Sequence, residues 1–587
     1  MAARRAARAG SADQRRLVLF GIVLLAVWMG LGYRLFMVQV VQAAEYEQQG
    51  LDQRLTRRTI APVRGTMFDR SGNPLAMTVE AVSIYVVPDL VSDPVYTSQQ
   101  VAAITGTDWK PMYERILKGG QFAYMVRQVE ANVAARVEAL GLPELGFLPE
   151  PKRVYPDGSI AGAVVGMVRL DANDLGEGER FGLEGLEYVY DDILGGRPGE
   201  LVFESDVKGV PIPQAQRTVV PAIPGDDLVT TIDLSLQYHA YETCERTVEL
   251  TGALSCWAVV LHAETGEVLA MAGSPGFDPE ARRSLREGGV FENFVIRGTY
   301  EPGSTQKLIT FAAALDSGAA RVDDVIGRVA DRYEVTPGAC ESRTDDIYGC
   351  FGDFAPHETK DMSVAEIFTV SSNVGTIRVE ERLPDGLLET YLDRFGFGAV
   401  TGVDFSGEAV GSISIPAGCS SCAASVAIGY SVAVTPLQMA AAYAAIANDG
   451  VWTQPHLVAS RVDVDGRSIA IEPERRQVVS EGTAWTMRQL LARVVAQGTG
   501  IKAQVPGYRV GGKTGTADKI VDGSYIDETM ASFVGMAPID DPKVVVAVVV
   551  DAPSYEFRTG GSAAAPAFAE IMQAALHTLG VPPDATG

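Results

Sequence analysis

The feature that most limits what this chain can fold into is an uncharged apolar run near its N-terminus. Residues 17–33 read LVLFGIVLLAVWMGLGY, and the apolar pattern resumes after Arg34 and continues to residue 41. At about 1.5 Å per residue, a helix over residues 17–38 crosses a hydrocarbon core of about 30 Å. A cleaved signal peptide has a similar pattern, but no small-residue cleavage site follows closely and the run is longer than a usual signal core. We therefore expect an uncleaved single-pass anchor at residues 17–38.

The charges are unevenly divided around this run. Residues 1–16 hold five arginines and one acidic residue, whereas the whole chain has a formal net charge of −25. Basic flanks stay on the cytoplasmic side of a membrane. We therefore expect a cytoplasmic tail at residues 1–16 and an extracytoplasmic body beyond the anchor. The acidity of that body argues against a nucleic-acid partner, because phosphate contacts need a basic face.

The chain has six cysteines, all in the external part. An even number of cysteines in an oxidising compartment indicates disulfides, although the sequence alone leaves the connectivity open. Proximity in the sequence favours Cys340–Cys350, with Cys244–Cys256 and Cys419–Cys422 as further candidate pairs. A zinc site at the last pair would need two more ligands, and neither a second C-x-x-C nor a closely spaced histidine supplies them. We expect no metal.

The external part divides at the Pro/Gly-rich segment 221–225. Residues 39–223 begin with a polar, helix-prone stretch at 42–60 and continue as short strands separated by turns. In residues 224–580 the sequence pattern predicts an early hairpin formed by CWAVVLH and EVLAMAG. Helices are predicted near 304–316, 363–381 and 435–448, and late strands at 508–512, 532–537 and 544–551. An early hairpin, central helices and late strands predict an α+β domain with a central antiparallel sheet flanked by helices.

One motif invites a different interpretation. Residues 507–514 (GYRVGGKT) match the phosphate-loop pattern G-x-x-x-x-G-K-[ST], which alone predicts an ATPase. That pattern requires a helix beginning at the Lys-Thr pair, so that its N-terminus holds phosphate. The next residues, GTADKIVDGSYIDET, are rich in turn formers and have no helical periodicity. We therefore do not adopt the ATPase interpretation.

Three short polar motifs together indicate serine chemistry. In EPGSTQK (301–307), Ser304 and Lys307 are three residues apart and share a helix face. A serine hydroxyl is a poor nucleophile until a base such as a neutral amine takes its proton. A helix cap, a turn or a solvated edge-strand lysine would explain each motif alone. The combination is specific because the other two follow in order on a loop and a late strand: Ser371-Ser372-Asn373 and Lys513-Thr514-Gly515-Thr516.

With these motifs the chain resembles the class B penicillin-binding proteins, which are membrane-anchored peptidoglycan transpeptidases, along essentially its whole length. The S-x-x-K, S-x-N and K-T-G motifs of that family stand here as Ser304/Lys307, Ser371/Asn373 and Lys513/Thr514/Gly515. The segments RGTMFDRSGNPLA, RVYPDGSIAGAVVG and GLEGLEYVYDDILGGRPG are similar to the N-terminal module of the class. Gln306 departs from the apolar or aromatic residue often found inside the first motif, and we expect altered packing there. The region around the cysteines is also unusual for the family.

The resemblance implies a D,D-transpeptidase that needs no cofactor and that β-lactams acylate on Ser304. Lys307 would accept the proton of Ser304, which attacks the penultimate D-alanine of a D-Ala-D-Ala stem peptide. The backbone N–H groups of Ser304 and Thr516 would form the oxyanion hole, and Ser371 would relay the proton to the leaving group. Asn373 would contact the substrate amide, and Gly515 would let the substrate approach the backbone. Lys513 would supply positive potential, and Thr514 and Thr516 would bind the terminal carboxylate.

The resemblance also implies a pedestal of the class B dimerisation type at residues 39–223 and a transpeptidase domain at residues 224–580. The VTPLQ-to-NDG stretch and the closing segment GGSAAAPAF are most similar to the cell-division (septal) branch. A side-wall elongation enzyme is the alternative within the class. A penicillin sensor and a non-catalytic divisome scaffold are alternatives of another kind. Family analogy further implies contact with a polytopic membrane glycan polymerase and other division proteins.

Overall fold

The protein is described here by a computed structural model that covers residues 2–46, 55–172, 178–204, 217–280, 293–341, 349–416, 419–521 and 523–584. The chain divides into two compact units, one of residues 1–62 and 197–223 and one of residues 63–196 and 224–587. The functional boundaries between an anchor, a pedestal and a transpeptidase domain remain a prediction, because compactness alone does not define a functional module.

The smaller unit contains the N-terminal helix, Ala2–Phe36, which continues as a π-helical turn at Met37–Val41. Within the described ranges, one helical segment, Gln14–Val41, is long and apolar enough to cross a membrane. This unit also contains a three-stranded antiparallel sheet in the order Leu55–Ile60, Gly199–Glu204, Arg217–Val220. The helix-prone interpretation of residues 42–60 is therefore wrong for residues 55–60, where pairing between strands overrides local propensity. Residues 47–54 of that stretch lie outside the described residues.

The first part of the larger unit contributes strands to three sheets. A six-stranded sheet has the order Ser468–Ala470, Val458–Val462, Asp227–Thr230, Met67–Phe68, Pro74–Val79, Lys152–Val154. A three-stranded sheet, in the order Ala123–Glu130, Ala81–Val86, Leu145–Pro149, packs with the helices Pro94–Thr105, Trp109–Leu117 and Ala131–Glu138 around a core of its own. Strands Met167–Ala172 and Gly178–Glu184 form a hairpin, and the helices here are Ser159–Val165, Gly185–Val189 and Asp191–Leu194.

A buried ion cluster joins the three segments that resemble the N-terminal module of the class. The Glu187 carboxylate is fully buried and accepts from Arg64 Nε at 2.6 Å and from Arg153 Nε at 2.7 Å. The Arg64 guanidinium also donates to the Asp191 carboxylate at 2.6 Å. Burial of charge is tolerated only when each group is paired in this way. The three segments therefore meet at one charge-neutralised point.

The second part of the larger unit is built on a five-stranded antiparallel sheet. Its order is Val268–Ser274, Ser255–His262, Val544–Asp551, Ser524–Ala537, Gly511–Val521. The prediction of a central antiparallel sheet flanked by helices is confirmed. The predicted strand at 508–512 is wrong, because the strand begins at Gly511 and continues to Val521. The turn formers in this region serve the tip of a long hairpin, where Gly523 has a φ of 77°.

The run VVVAVVVD at Val544–Asp551 shows why this sheet lies between two layers. Val545, Ala547 and Val549 point into one apolar cluster, whereas the alternate residues Val544 and Val546 point into another. Successive side chains of a strand face opposite sides of the sheet. A continuous apolar run therefore indicates a strand that is covered on both faces. Helices Leu234–Thr251 and Ala564–Thr578 contribute to one cluster, and helices Lys307–Asp316, Pro436–Ala447 and Glu481–Gln497 contribute to the other.

The remaining elements are short. The helices are Phe294–Arg297, Val364–Val370, Asn373–Glu380, Leu387–Arg394 and Ser420–Ala427. Two-stranded pairs are Val325–Val329 with Lys360–Ser363, Arg332–Glu334 with Cys350–Gly352, Ser412–Ile413 with Val432–Ala433, and Val451–Thr453 with Arg475–Gln477.

Two of the three candidate cysteine pairs are bonded. Disulfides join Cys340 to Cys350 and Cys419 to Cys422, so the latter pair is not a zinc site. The expected third pair is not bonded: Cys244 and Cys256 are buried free thiols, and the two sulfur atoms are 2.7 Å apart. Burial raises the pKa of the Cys244 thiol. Because the thiolate is the reactive form, these two residues behave as small apolar core side chains.

Candidate active site

The first motif lies on a single 3₁₀ turn, Gly303–Gln306, which leads into the helix Lys307–Asp316. The sequence predicted that the helix would already include Ser304. The side chains at i and i+3 eclipse in a 3₁₀ turn, so Ser304 and Lys307 still share a face. Gly303 has a φ of 51°, and a Cβ there would lie 2.8 Å from the Thr516 carbonyl oxygen. Glycine therefore lets the first motif pack directly against the Lys513 strand (Gly511–Val521).

The second motif interrupts what the sequence predicted as one helix at 363–381. Helix Val364–Val370 ends at Ser371, which has a left-handed φ of 63°. This conformation is unfavourable for a residue with a side chain and is found where the surroundings enforce it. Helix Asn373–Glu380 then begins, with the Ser372 hydroxyl accepting from the Gly375 N–H. The break presents both the carbonyl and the hydroxyl of Ser371 to Lys307.

Lys307 is the centre of a hydrogen-bonded array. Its Nζ donates to the Ser371 carbonyl at 2.8 Å and to Asn373 Oδ1 at 2.7 Å, and it lies 3.4 Å from Ser371 Oγ. Ser371 Oγ is 3.0 Å from Ser304 Oγ. Within the described residues, no hydrogen bond joins Lys307 directly to Ser304. The Ser371 hydroxyl is therefore the bridge between the lysine and the first serine.

The third motif brings a second lysine to the same hydroxyl. Lys513 Nζ donates to Ser371 Oγ at 2.8 Å and to the Thr514 carbonyl at 3.2 Å. Lys513 lies inside the strand, so the Lys-Thr pair does not begin the helix that a phosphate loop requires. A Cβ at Gly515 would lie 2.3 Å from Ser532 Oγ and 2.6 Å from the Pro302 carbonyl oxygen. Only glycine fits between the strand and the first motif.

The threonines of the third motif have partners of their own. Thr514 Oγ1 lies 2.8 Å from Thr499 Oγ1, and Thr516 Oγ1 accepts from the Gly560 N–H at 3.0 Å. Thr499 did not stand out in the sequence. Gly560 belongs to the closing segment GGSAAAPAF, which the family resemblance had marked without a role.

Burial makes both lysines easier to deprotonate. Both side chains are fully buried, and removal from water disfavours the charged ammonium. Burial lowers the pKa of Lys307 to about 7, against an opposing effect of the Asp353 carboxylate. Burial and the neighbouring charge of Lys307 lower the pKa of Lys513. A substantial fraction of Lys307 is therefore the neutral amine near neutral pH, which is the form that can accept a proton.

Two carboxylates that hydrogen-bond to segments next to the motifs were not predicted from the sequence. The Asp353 carboxylate accepts from Ser372 Oγ at 2.7 Å and from the Val374 N–H at 3.0 Å. The Glu301 carboxylate accepts from the Ser431 N–H at 2.7 Å and from Tyr525 Oη at 3.0 Å. Glu301 stands in the quoted motif EPGSTQK, but nothing in the sequence pairs it with a tyrosine more than two hundred positions later. Asp353 had no signal beyond its position after Cys350.

Comparison with known proteins assigns this arrangement to a family. A profile described as "Penicillin binding protein transpeptidase domain" matches residues 256–573, and one described as "Penicillin-binding Protein dimerisation domain" matches residues 59–230. The chain is 33% identical to Stage V sporulation protein D of Bacillus subtilis, over 96% of this chain and 85% of that protein. It is 30% identical to the peptidoglycan D,D-transpeptidase FtsI of Escherichia coli, over 97% of this chain and 92% of that protein.

A solved structure extends the similarity to the fold. The crystal structure of penicillin-binding protein 3 from Mycobacterium tuberculosis, complexed with aztreonam, superposes with a TM-score of 0.67 at 28% sequence identity. The match covers 90% of this chain and 98% of that chain. Sequence profiles, full-length relatives and fold therefore agree.

Proposed function

The chain belongs to the class B penicillin-binding proteins, and from this membership we propose that it cross-links D-Ala-D-Ala stem peptides through an acyl-enzyme on Ser304. Membership of the family makes it a peptidoglycan D,D-transpeptidase, with peptidoglycan as substrate and β-lactams as ligands. The serine mechanism, the roles of individual residues and the cellular role are the proposed part.

One observation carries the mechanism: the Ser371 hydroxyl touches Ser304, Lys307 and Lys513 at once. In the free enzyme the proton of Ser304 Oγ passes to the neutral Lys307 amine through this hydroxyl. Either serine of the pair can donate, because a hydroxyl is both a donor and an acceptor and its hydrogen rotates. The buried, partly neutral Lys307 amine is the base that such a transfer needs.

The chemistry then proceeds in two acyl transfers. Ser304 Oγ attacks the carbonyl carbon of the penultimate D-alanine, the C–N bond to the terminal D-alanine breaks, and the proton held by Lys307 returns through Ser371 to the leaving amine. The amine of a second stem peptide then attacks the ester carbonyl and loses its proton to the same lysine. The C–O bond to Ser304 breaks, and this proton returns through Ser371 to Ser304 Oγ, which restores the hydroxyl and the neutral amine. The backbone N–H groups of Ser304 and Thr516 stabilise the oxyanion, and each such donor contributes a few kcal/mol.

The remaining motif residues bind substrate. Asn373 contacts the substrate amide, and Gly515 allows the peptide to approach the strand. Lys513, in its ammonium form, attracts the terminal carboxylate, which the hydroxyls of Thr514 and Thr516 bind after exchanging their present partners. The position of Lys513, Thr514, Gly515 and Thr516 on one strand that packs against the first motif supports the assignment.

Fluorescent penicillin labelling tests the nucleophile. Wild-type protein should become covalently labelled, with the adduct mapped by mass spectrometry to the peptide that contains Ser304, and Ser304→Ala should not be labelled. Ser317→Ala is the matched control, because Ser317 lies at the end of the same helix and its hydroxyl donates only to backbone carbonyls of that helix. Equal labelling of wild type and Ser304→Ala would refute the proposal and leave a binding role, such as a sensor or scaffold.

We place the activity at the division septum, in a protein anchored by residues 17–38 with residues 1–16 in the cytoplasm and the catalytic domain outside. The name of the E. coli relative supports this role, as does the similarity of the VTPLQ-to-NDG stretch and of GGSAAAPAF to the septal branch. A polytopic glycan polymerase and other division proteins are the proposed partners of the residues 39–223. Depletion in the native cell should give filaments. Swollen round cells would instead support the side-wall elongation role.

A further inference from the structure

The region around Cys340–Cys350 lies outside the three catalytic motifs, yet it ends at the active site. The disulfide holds strand Cys350–Gly352, which pairs with Arg332–Glu334. The Gly352 carbonyl, at the end of this strand, accepts from Asn373 Nδ2 at 2.8 Å. The opposite side of the same amide, Asn373 Oδ1, accepts from Lys307 Nζ. The strand therefore fixes the amide that Lys307 contacts.

The next residue, Asp353, hydrogen-bonds to the turn that contains Asn373. Its side chain is only 8% exposed. One carboxylate oxygen accepts from the Val374 N–H at 3.0 Å, and the other accepts from Ser372 Oγ at 2.7 Å. The Asp353 N–H is itself held by the Asp331 carbonyl at 2.9 Å. The carboxylate thus binds residues on both sides of Asn373 without touching any of the proposed reacting groups.

His357 completes the arrangement as a countercharge. Its Nε2 lies 2.9 Å from Asp353 Oδ2, and its Nδ1 lies 2.9 Å from the Glu358 carbonyl oxygen. Both ring nitrogens therefore face acceptors, an arrangement that favours the protonated imidazole, which donates from both nitrogens. The two hydrogen bonds raise the pKa of His357, first through the Glu358 carbonyl and then through Asp353.

We propose that Asp353 is a positioning residue for the transpeptidase, which holds the Ser371–Asn373 turn against Lys307 and is charge-balanced by His357. This inference rests on the proposed function, since it assigns Asp353 to the support of that site. The left-handed backbone of Ser371 needs enforcement, and the contacts of Asp353 to Ser372 and Val374 supply it.

The electrostatic consequence distinguishes this role from simple structural support. The Asp353 carboxylate acts on Lys307 across the turn and opposes the effect of burial on the lysine pKa. The other charged groups that face these residues are Lys513, beside Lys307, and Asp331, near His357. Loss of the Asp353 charge should lower the pKa of Lys307, whereas loss of the His357 charge should raise it.

The test measures the rate of acylation by a fluorescent penicillin from pH 5.5 to 9, using detergent-solubilised full-length protein. Asp353→Asn should lower the plateau rate about ten-fold, because the turn loosens, and should move the midpoint of the acidic limb down by roughly half a unit. His357→Gln keeps a hydrogen-bond donor toward Asp353 but removes the charge, so its midpoint should move up. Asp361→Asn is the matched control, since the Asp361 carboxylate accepts from the Arg328 N–H in a neighbouring exposed strand pair.

Opposite shifts of the two midpoints support the proposal. Midpoints that stay at the wild-type value, or that move in the same direction, overturn it. If Asp353→Asn does not fold, the partly exposed His357 still decides: an upward shift in His357→Gln supports the proposal and an unchanged midpoint refutes it. Ser304→Ala is assayed in parallel, because labelling of this variant would refute the proposed function itself. If Ser304→Ala is not labelled but His357→Gln and Asp353→Asn keep the wild-type pH dependence of acylation, only the positioning role is refuted.

Discussion

Gln306 allows a quantitative test of the packing around the first motif. Its side chain is fully buried, and within the described part of the chain neither Oε1 nor Nε2 has a hydrogen-bond partner. The sequence had marked this residue as a departure from the apolar side chain usual at that position. The substitution Gln306→Met replaces the amide with an unbranched thioether of similar size, which fits irregular core space.

The expected magnitude follows from the two unpaired atoms. A buried amide without partners costs about 1–3 kcal/mol relative to an apolar group. Even a well-matched core exchange loses part of this through repacking, by up to about 1.5 kcal/mol. Gln306→Met should therefore raise the free energy of unfolding by about 1 kcal/mol. For a large domain that corresponds to a rise in Tm of roughly 2 °C.

Gln237 is the matched control, because it is equally buried but fully paired. Its Nε2 donates to the carbonyls of Ile160 at 2.7 Å and Met271 at 2.9 Å, and its Oε1 accepts from the Met271 N–H at 2.7 Å. Gln237→Met removes these bonds and leaves buried backbone groups unpaired. It should therefore lower the free energy of unfolding by about 2–4 kcal/mol.

Thermal unfolding of both variants, followed by tryptophan fluorescence in the same detergent, gives the comparison. The two substitutions are chemically identical, so a difference in sign reports only the environment of the amide. A fall in Tm for Gln306→Met comparable to that for Gln237→Met would refute the reasoning. It would mean that the Gln306 amide is bonded in solution.

Three further predictions concern charge and thiols. The rate of acylation by penicillin should rise with pH through about 7 and level off above it. Burial lowers the pKa of Lys307 to about 7, and only the neutral amine accepts a proton. A rate that does not change from pH 5.5 to 8.5 would contradict this. Glu187→Gln should lower the free energy of unfolding in urea by about 3–5 kcal/mol, because the buried Arg153 loses its carboxylate partner and the buried Arg64 keeps only Asp191. A loss below about 1 kcal/mol would show that the cluster is solvated. Cys244 and Cys256 should not react with a thiol reagent in the native protein and should both react in denaturant without reductant; no reaction in denaturant would mean that the pair is oxidised in solution.

The architecture was predictable where one pattern dominates the local physics. The apolar run at the N-terminus predicted the helix, and the apolar strands of residues 255–274 and the run VVVAVVVD predicted the sheet, because burial determines such segments. The predicted strand bounds failed at residues 508–521, where local turn formers concealed a hairpin that pairing stabilises. The helix predicted at residues 363–381 failed for a similar reason, since the break at Ser371 depends on contacts with Lys307 and Lys513 that no local pattern encodes.

The site was predictable as a set of residues but not as a geometry. The three motifs gave the groups that meet around Ser371, with roles that remain proposals. Neither the bridging position of the Ser371 hydroxyl nor the support from Asp353 could be inferred, because each depends on chain segments that are brought together only by the fold. The unbonded state of Cys244 and Cys256 could not be inferred either, since the sequence predicts which cysteines come close together but not whether a close pair is oxidised.

The strand order of the five-stranded sheet has a consequence for how the protein is made. Ser255–His262, among the first strands to emerge, pairs with Val544–Asp551, so its partner is synthesised about 300 residues later. Until Val544–Asp551 has been made, the early hairpin has an open, apolar edge, and open edges of this kind promote aggregation. The strand Val544–Asp551 therefore covers this edge only near the end of synthesis. A ribosome that stalls before Val544 should leave a nascent chain that depends on chaperones and is readily degraded, even though every residue of all three catalytic motifs has been made.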